Sequence, residues 1–181
     1  MDTWMWVVIV LVALIVLGIA WIAWQRQRTE QLKERFGPEY ERTVAESDKR
    51  EGEKELLERE KRHEELDIRP LSTESRERFR DEWQNVQARF VDDPEGAVRD
   101  ADGLVARVMT ERGYPTDGDP EARAEELSVE HASVVGEYRR GHELLAGLDD
   151  SDDSTERLRE SMQCFRTAFE ELLHHREVTP R

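Results

Sequence analysis

The 181-residue chain is predicted to be all-α. Three observations carry that expectation. No segment alternates apolar and polar residues with period two. Residues 4–24, from Trp4 to Trp24, form an uninterrupted uncharged and almost wholly apolar run. From Ile68 onward, apolar residues recur at helical spacing between clear turn signals. Together they predict an N-terminal transmembrane helix (residues 1–24), a long charged helical stalk with a Gly-Pro kink (25–66), and a C-terminal acidic helical bundle (67–181) of four main helices plus one short helix.

The N-terminal run reads WMWVVIVLVALIVLGIAWIAW. As a helix it would be about 31 Å long, which matches the hydrocarbon thickness of a bilayer. Trp4 and Trp6 at one end and Trp21 and Trp24 at the other suggest an aromatic belt on each side. A cleaved signal peptide fits less well, because the three residues before the run carry no Lys or Arg. Arg26, Arg28, Lys33 and Arg35 follow the run. By the positive-inside rule they place the body in the cytoplasm and the N-terminus outside, a single-pass cell-membrane topology.

The stalk holds 24 charged residues among 42. Glu46–Arg50, Glu55–Arg59 and Glu58–Arg62 are i,i+4 pairs in the favourable order. Phe36-Gly37-Pro38 predicts a kink or short break. The helix then continues to about Glu65. Leu32, Phe36, Tyr40 and Val44 share one side, but no a/d seam is sustained. The segment therefore reads as self-standing or weakly pairing, with weak homo-oligomerisation as the related expectation.

Ser72 or Thr73 caps the first helix of the bundle, whose buried face is Phe79, Trp83, Val86 and Phe90. Asp92-Asp93-Pro94 opens the second, with Ala97, Val98, Ala101, Leu104, Val105 and Val108 on one face. Gly113 and Pro115 stop it. A short helix ends near Leu127, and Ser128 is expected to cap the next, which carries Val134, Tyr138, Gly141 and Leu145 with Val135 and His142 at the margin. The last helix presents Leu158, Met162, Phe165, Phe169 and Leu172.

The net charge is −15, with residues 25–66 at −2 and residues 67–181 at −12. An acidic body argues against nucleic acid, whose phosphates require a basic footprint. The same acidity would attract a basic protein, although it first of all reports solubility.

No catalytic, cofactor-binding or metal-ligating set is legible. The loop Asp149-Asp150-Ser151-Asp152-Asp153 with Glu160 resembles a calcium ring in its spacing, but Ser154 stands where the sharp turn needs glycine. It reads as a solvated acidic loop. His63, His131, His142, His174 and His175 contain no i,i+4 pair for a helical metal site. His142 reads as a core-edge ring with one hydrogen bond, and His174 and His175 as cations suited to a helix C-terminus. Cys164 is the single cysteine and lies off the apolar stripe of its helix, so partial exposure and an incidental thiol are expected. Tyr40 and the Tyr114-Pro115 turn read as packing on their neighbours rather than as exposed contact points.

Several strings carry a resemblance: Arg35-Phe36-Gly37-Pro38-Glu39-Tyr40, Leu66-Asp67-Ile68-Arg69-Pro70-Leu71-Ser72, Val86-Gln87-Ala88-Arg89-Phe90-Val91-Asp92-Asp93-Pro94, Glu111-Arg112-Gly113-Tyr114-Pro115 and Leu127-Ser128-Val129-Glu130-His131. Over about residues 35–146 the chain resembles a family of uncharacterised bacterial single-pass membrane-anchored proteins. The resemblance implies a bacterial envelope setting and brings no activity or functional residue with it.

The resulting expectation is a membrane-tethered, non-enzymatic protein-interaction module on the inner face of the bacterial membrane. The bilayer would hold it through residues 4–24, and an unknown cytoplasmic protein would be its partner. The alternatives are a self-associating envelope scaffold and a ligand or metal sensor.

Overall fold

The structure, a computed structural model, describes residues 3–148 and 153–174, with backbone alone for Thr3, Met5 and residues 7–10. All of its regular structure there is helical. In order the helices are α1 (Thr3–Phe36), α2 (Pro38–Glu46), α3 (Lys49–Glu64), α4 (Thr73–Arg89), α5 (Pro94–Arg112), α6 (Pro120–Ser128), α7 (Val135–Ala146) and α8 (Ser154–His174).

The expected transmembrane span is corrected. Among the described residues no helix is long and apolar enough to cross a membrane. The lipid partner, the aromatic belts and the single-pass localisation rested on that span and are withdrawn with it.

The charged segment also differs from a rod. Gly37, at φ +50, ends α1 and lets Pro38 begin α2. Ser47-Asp48 then reverses the chain. The Asp48 carboxylate accepts from Arg50 N at 2.8 Å and Glu51 N at 3.0 Å, an N-cap that starts a new helix where a continuous one was expected. The cross-links Tyr40–Glu53 and Glu39–Arg59 run in opposite chain directions, so α2 and α3 are antiparallel. Gly52 permits their close approach: a Cβ there would lie 3.0 Å from Val44 Cα. Leu32, Phe36, Tyr40 and Leu56 close this arm over a small apolar cluster.

Helices α4–α8 form the body. Ser72 caps α4 through Ser75 N, Asp93 caps α5 through Gly96 N, and Asp119 caps α6 through Ala122 N. Gly113 ends α5 in the left-handed region at φ +100, where a Cβ would meet Asp67 O at 2.3 Å. Ser128 does not cap the following helix. It is buried at the end of α6, its hydroxyl donates back to Glu125 O at 2.6 Å, and α7 starts only at Val135.

Helix α8 is the hub. Phe165, Phe169 and Leu172 are essentially inaccessible and pack with Ala97, Val98, Leu104 and Val105 of α5. Trp83 stacks on Phe169 with ring centroids 4.7 Å apart. Gly141 brings α7 onto α8, where its added Cβ would stand 3.1 Å from the Phe165 ring, and Ser161 Oγ donates to Gly141 O at 2.7 Å.

Candidate functional site

Two features stand out once the helices are in place: a polar joint between the arm and the body, and an apolar limb on α1.

Glu39 centres the joint. It is 2% exposed, yet guanidiniums from two other helices converge on it. Arg59 of α3 donates to it at 2.9 Å, and Arg139 of α7 donates to both carboxylate oxygens at 2.5 and 2.9 Å. Arg139 also grips Glu121 of α6 at 2.9 Å, and Arg42 of α2 reaches the same carboxylate at 3.1 Å. Burial pushes the Glu121 carboxyl up, but the Arg139 and Arg42 guanidiniums overcome this and hold it below its ordinary range. Arg59 and Arg62 face Glu125, and Arg62 also faces Glu126. Buried charge is tolerated here because each carboxylate meets a guanidinium with matching donors.

The joint continues into a second buried polar group. His63 Nε2 lies 3.1 Å from Glu130, and the Tyr114 hydroxyl donates to the same carboxylate at 2.7 Å. Arg112, wholly buried, donates to His131 Nε2 at 3.2 Å and to Leu172 O at 3.3 Å. A guanidinium only donates, so His131 Nε2 accepts and Nδ1 carries the proton towards Glu171, 3.3 Å away. The hydrogen bond from His63, joined by that of Tyr114, outweighs burial and holds the Glu130 carboxyl down at about 2.

That shift has a sign. A carboxyl depressed in the folded chain contributes stability that is complete above the ordinary carboxylate range and is lost as pH falls through the folded value. The Glu130 contribution is therefore expected to disappear between about pH 4.5 and pH 2. Acid titration of the fold by circular dichroism checks this: Glu130→Gln should be less stable than wild type at neutral pH, and the gap should close towards pH 2.

The remaining sequence candidates fall elsewhere. His142 is half-buried, 3.1 Å from Asp102 Oδ1 and edge-on to Tyr138 and Phe165, as a core-edge ring. His174 is an exposed residue near the end of α8, with Nδ1 at 2.7 Å from Glu170 O. Glu160 pairs with Arg140. Residues 149–152 of the acidic loop, and His175, lie outside the described residues. Among the described residues no group of three or more His, Cys, Asp or Glu is placed to hold a metal ion. Tyr40 and Tyr114 are both buried. Burial, then the hydrogen bond to Glu53, pushes the Tyr40 hydroxyl up to about 12.

Cys164 differs from its expected partial exposure. It is buried, with Sγ 3.3 Å from Glu137 Oε2. Burial first, then the Glu137 carboxylate, pushes the thiol up to about 12. Thiolate is the reactive form, so alkylation at neutral pH should proceed only in unfolded chain. Mass spectrometry after iodoacetamide treatment, with and without denaturant, reads this out.

The apolar limb is the N-terminal part of α1. From residue 11 to residue 24 its large side chains stand open: Leu14, Leu17, Ile19 and Trp21 are 63–65% exposed. They point to all sides of the helix. Contiguous apolar surface of this kind marks an interaction site on a folded chain. The limb is rigidly continued by the arm, because Thr29 donates to Glu53 at 2.8 Å and Arg35 pairs with Glu60.

Sequence reading missed Glu39, Arg59, Arg112 and Arg139, since charged residues in helices carry no mark of burial. The N-cap Asp48 was the one legible signal for the arm, because Asp before a new Glu/Lys-rich run is a helix start.

Comparison with family models, curated proteins and solved structures gave no match to this chain.

Proposed function

We propose that the chain is a non-enzymatic protein-interaction module that binds through the apolar limb of α1. One observation carries this reading: a helix bearing Leu14, Leu17, Ile19 and Trp21 open on all sides is continuous with a charge-clamped arm. The arm holds the limb clear of the body. A partner offering apolar helices would enclose it, by the same packing that anchors amphipathic helices in grooves. Trp21 and Trp24, with ring centroids 5.6 Å apart, provide the large anchors at its base.

A second reading, self-association through the same limb, is favoured by the same surface and differs only in what covers it. Sedimentation of the purified full chain separates them. A concentration-dependent oligomer that Leu14→Glu/Leu17→Glu abolishes supports self-association. A monomer that gains a defined protein partner through unsubstituted residues 14 and 17 supports the module. A limb that binds lipid vesicles and no protein contradicts both.

A further inference from the structure

We propose that α1–α3 is a detachable arm, which releases from the α4–α8 body as a unit by opening the ionic joint around Glu39. The buried apolar residues divide into two clusters. The larger lies wholly within residues 71–173. The smaller is built from Leu32, Phe36, Tyr40 and Leu56 of the arm, and the body adds only Val129. The two parts therefore share little apolar surface. What joins them is charge.

That charge is arranged with complementary signs. The body presents a ledge of carboxylates on α6 and the turn after it: Glu121, Glu125, Glu126 and Glu130. The arm meets the ledge with Arg42, Arg59, Arg62 and His63. The pair Glu39–Arg139 runs the opposite way and ties α2 to α7. Water can replace such contacts on both faces as they part, which it cannot do for an apolar core. The connection between the parts is short. Helix α3 ends at Glu64, and Arg69 N is already bonded to Arg112 O of the body at 2.8 Å. Residues 65–67 are the pivot. Neither Phe165 nor any other part of the α8 hub needs to move.

Helices of 9 and 16 residues, α2 and α3, are marginal once off the body. Release therefore exposes their amides to exchange. This inference goes beyond the interaction reading and stands independently of it.

Native-state hydrogen exchange on the full chain tests it. In wild type the amides of α2 and α3 should exchange through a common opening that leaves those of α5 and α8 protected. Glu39→Gln removes the buried carboxylate that Arg59 and Arg139 share, and should raise exchange in α2–α3 by about a hundredfold while α5 and α8 keep wild-type protection. Arg62→Gln, at the half-exposed edge of the joint, should move the same amides in the same direction by a few-fold. It also serves where Glu39→Gln fails to fold. Exchange of α2–α3 only through the opening that exposes α5 and α8, in wild type or in either variant, overturns the proposal.

Discussion

Replacing Glu39 by alanine is expected to remove about 3–5 kcal/mol from the docking of the arm. The loss comes from what remains rather than from what is taken away. Arg59 is 4% exposed and Arg139 is 9% exposed, and both donate to Glu39. With the carboxylate gone, Arg59 keeps Glu55 and Glu125, and Arg139 keeps Glu121, but each has lost its one fully buried carboxylate partner. Far-UV circular dichroism during urea unfolding should show an early transition, with helix lost from α2–α3 before the body melts. A single transition at the wild-type midpoint would mean that Glu39 is better solvated than its burial indicates.

Phe165→Ala is expected to cost about 3–5 kcal/mol of global stability, and here the body itself fails. The Phe165 ring is fully buried between α5, α7 and α8. It meets Tyr138 and His142 edge-on at centroid distances of 5.9 and 5.0 Å. Gly141 sits against it with no room for a Cβ to move in. The backbones there are already at close approach, so the space left by the ring cannot be refilled by collapse. That places the cost towards the upper part of the range. Thermal denaturation should show one cooperative transition at a clearly lower Tm. Phe165→Leu, which keeps most of the volume, should recover much of the loss.

These two substitutions separate the parts of the chain that the sequence made legible from the parts it did not. The body was legible. Phe79, Trp83 and Val86 of α4, the Ala97-to-Val108 face of α5 and the Leu158-to-Leu172 face of α8 are core as their spacing predicted. The caps at Ser72, Asp93 and Gly113 marked the helix ends by local chemistry. Ser128 was misread because a serine hydroxyl either accepts from an amide ahead of it or donates to a carbonyl one turn behind it, and its donation to Glu125 O decides between them.

The arm was illegible for a different reason. Its i,i+4 pairs suggested a solvated helix, and Glu55–Arg59 does exist. But Arg59 also closes on Glu39, and Glu39 on Arg139, 100 residues away. Ion pairs at such separation leave no periodic trace, because charge patterning records only neighbours on one helix. Gly52 likewise carries no mark in the charge pattern, yet it is the contact that lets α2 and α3 approach closely. The N-terminal run was over-read. Its apolar run suggested a span, while among the described residues no helix is long and apolar enough to cross a membrane, and the large apolar side chains of residues 11–24 stand exposed.

The docked arm is most directly tested by a double-mutant cycle between Glu39 and Arg139, using Glu39→Gln, Arg139→Gln and the pair together. A buried, bidentate pair at 2.5 and 2.9 Å predicts a coupling of at least about 1.5 kcal/mol between residues on α2 and α7. Effects that add to within about 0.5 kcal/mol would contradict it, and would leave the charged segment standing free of the body.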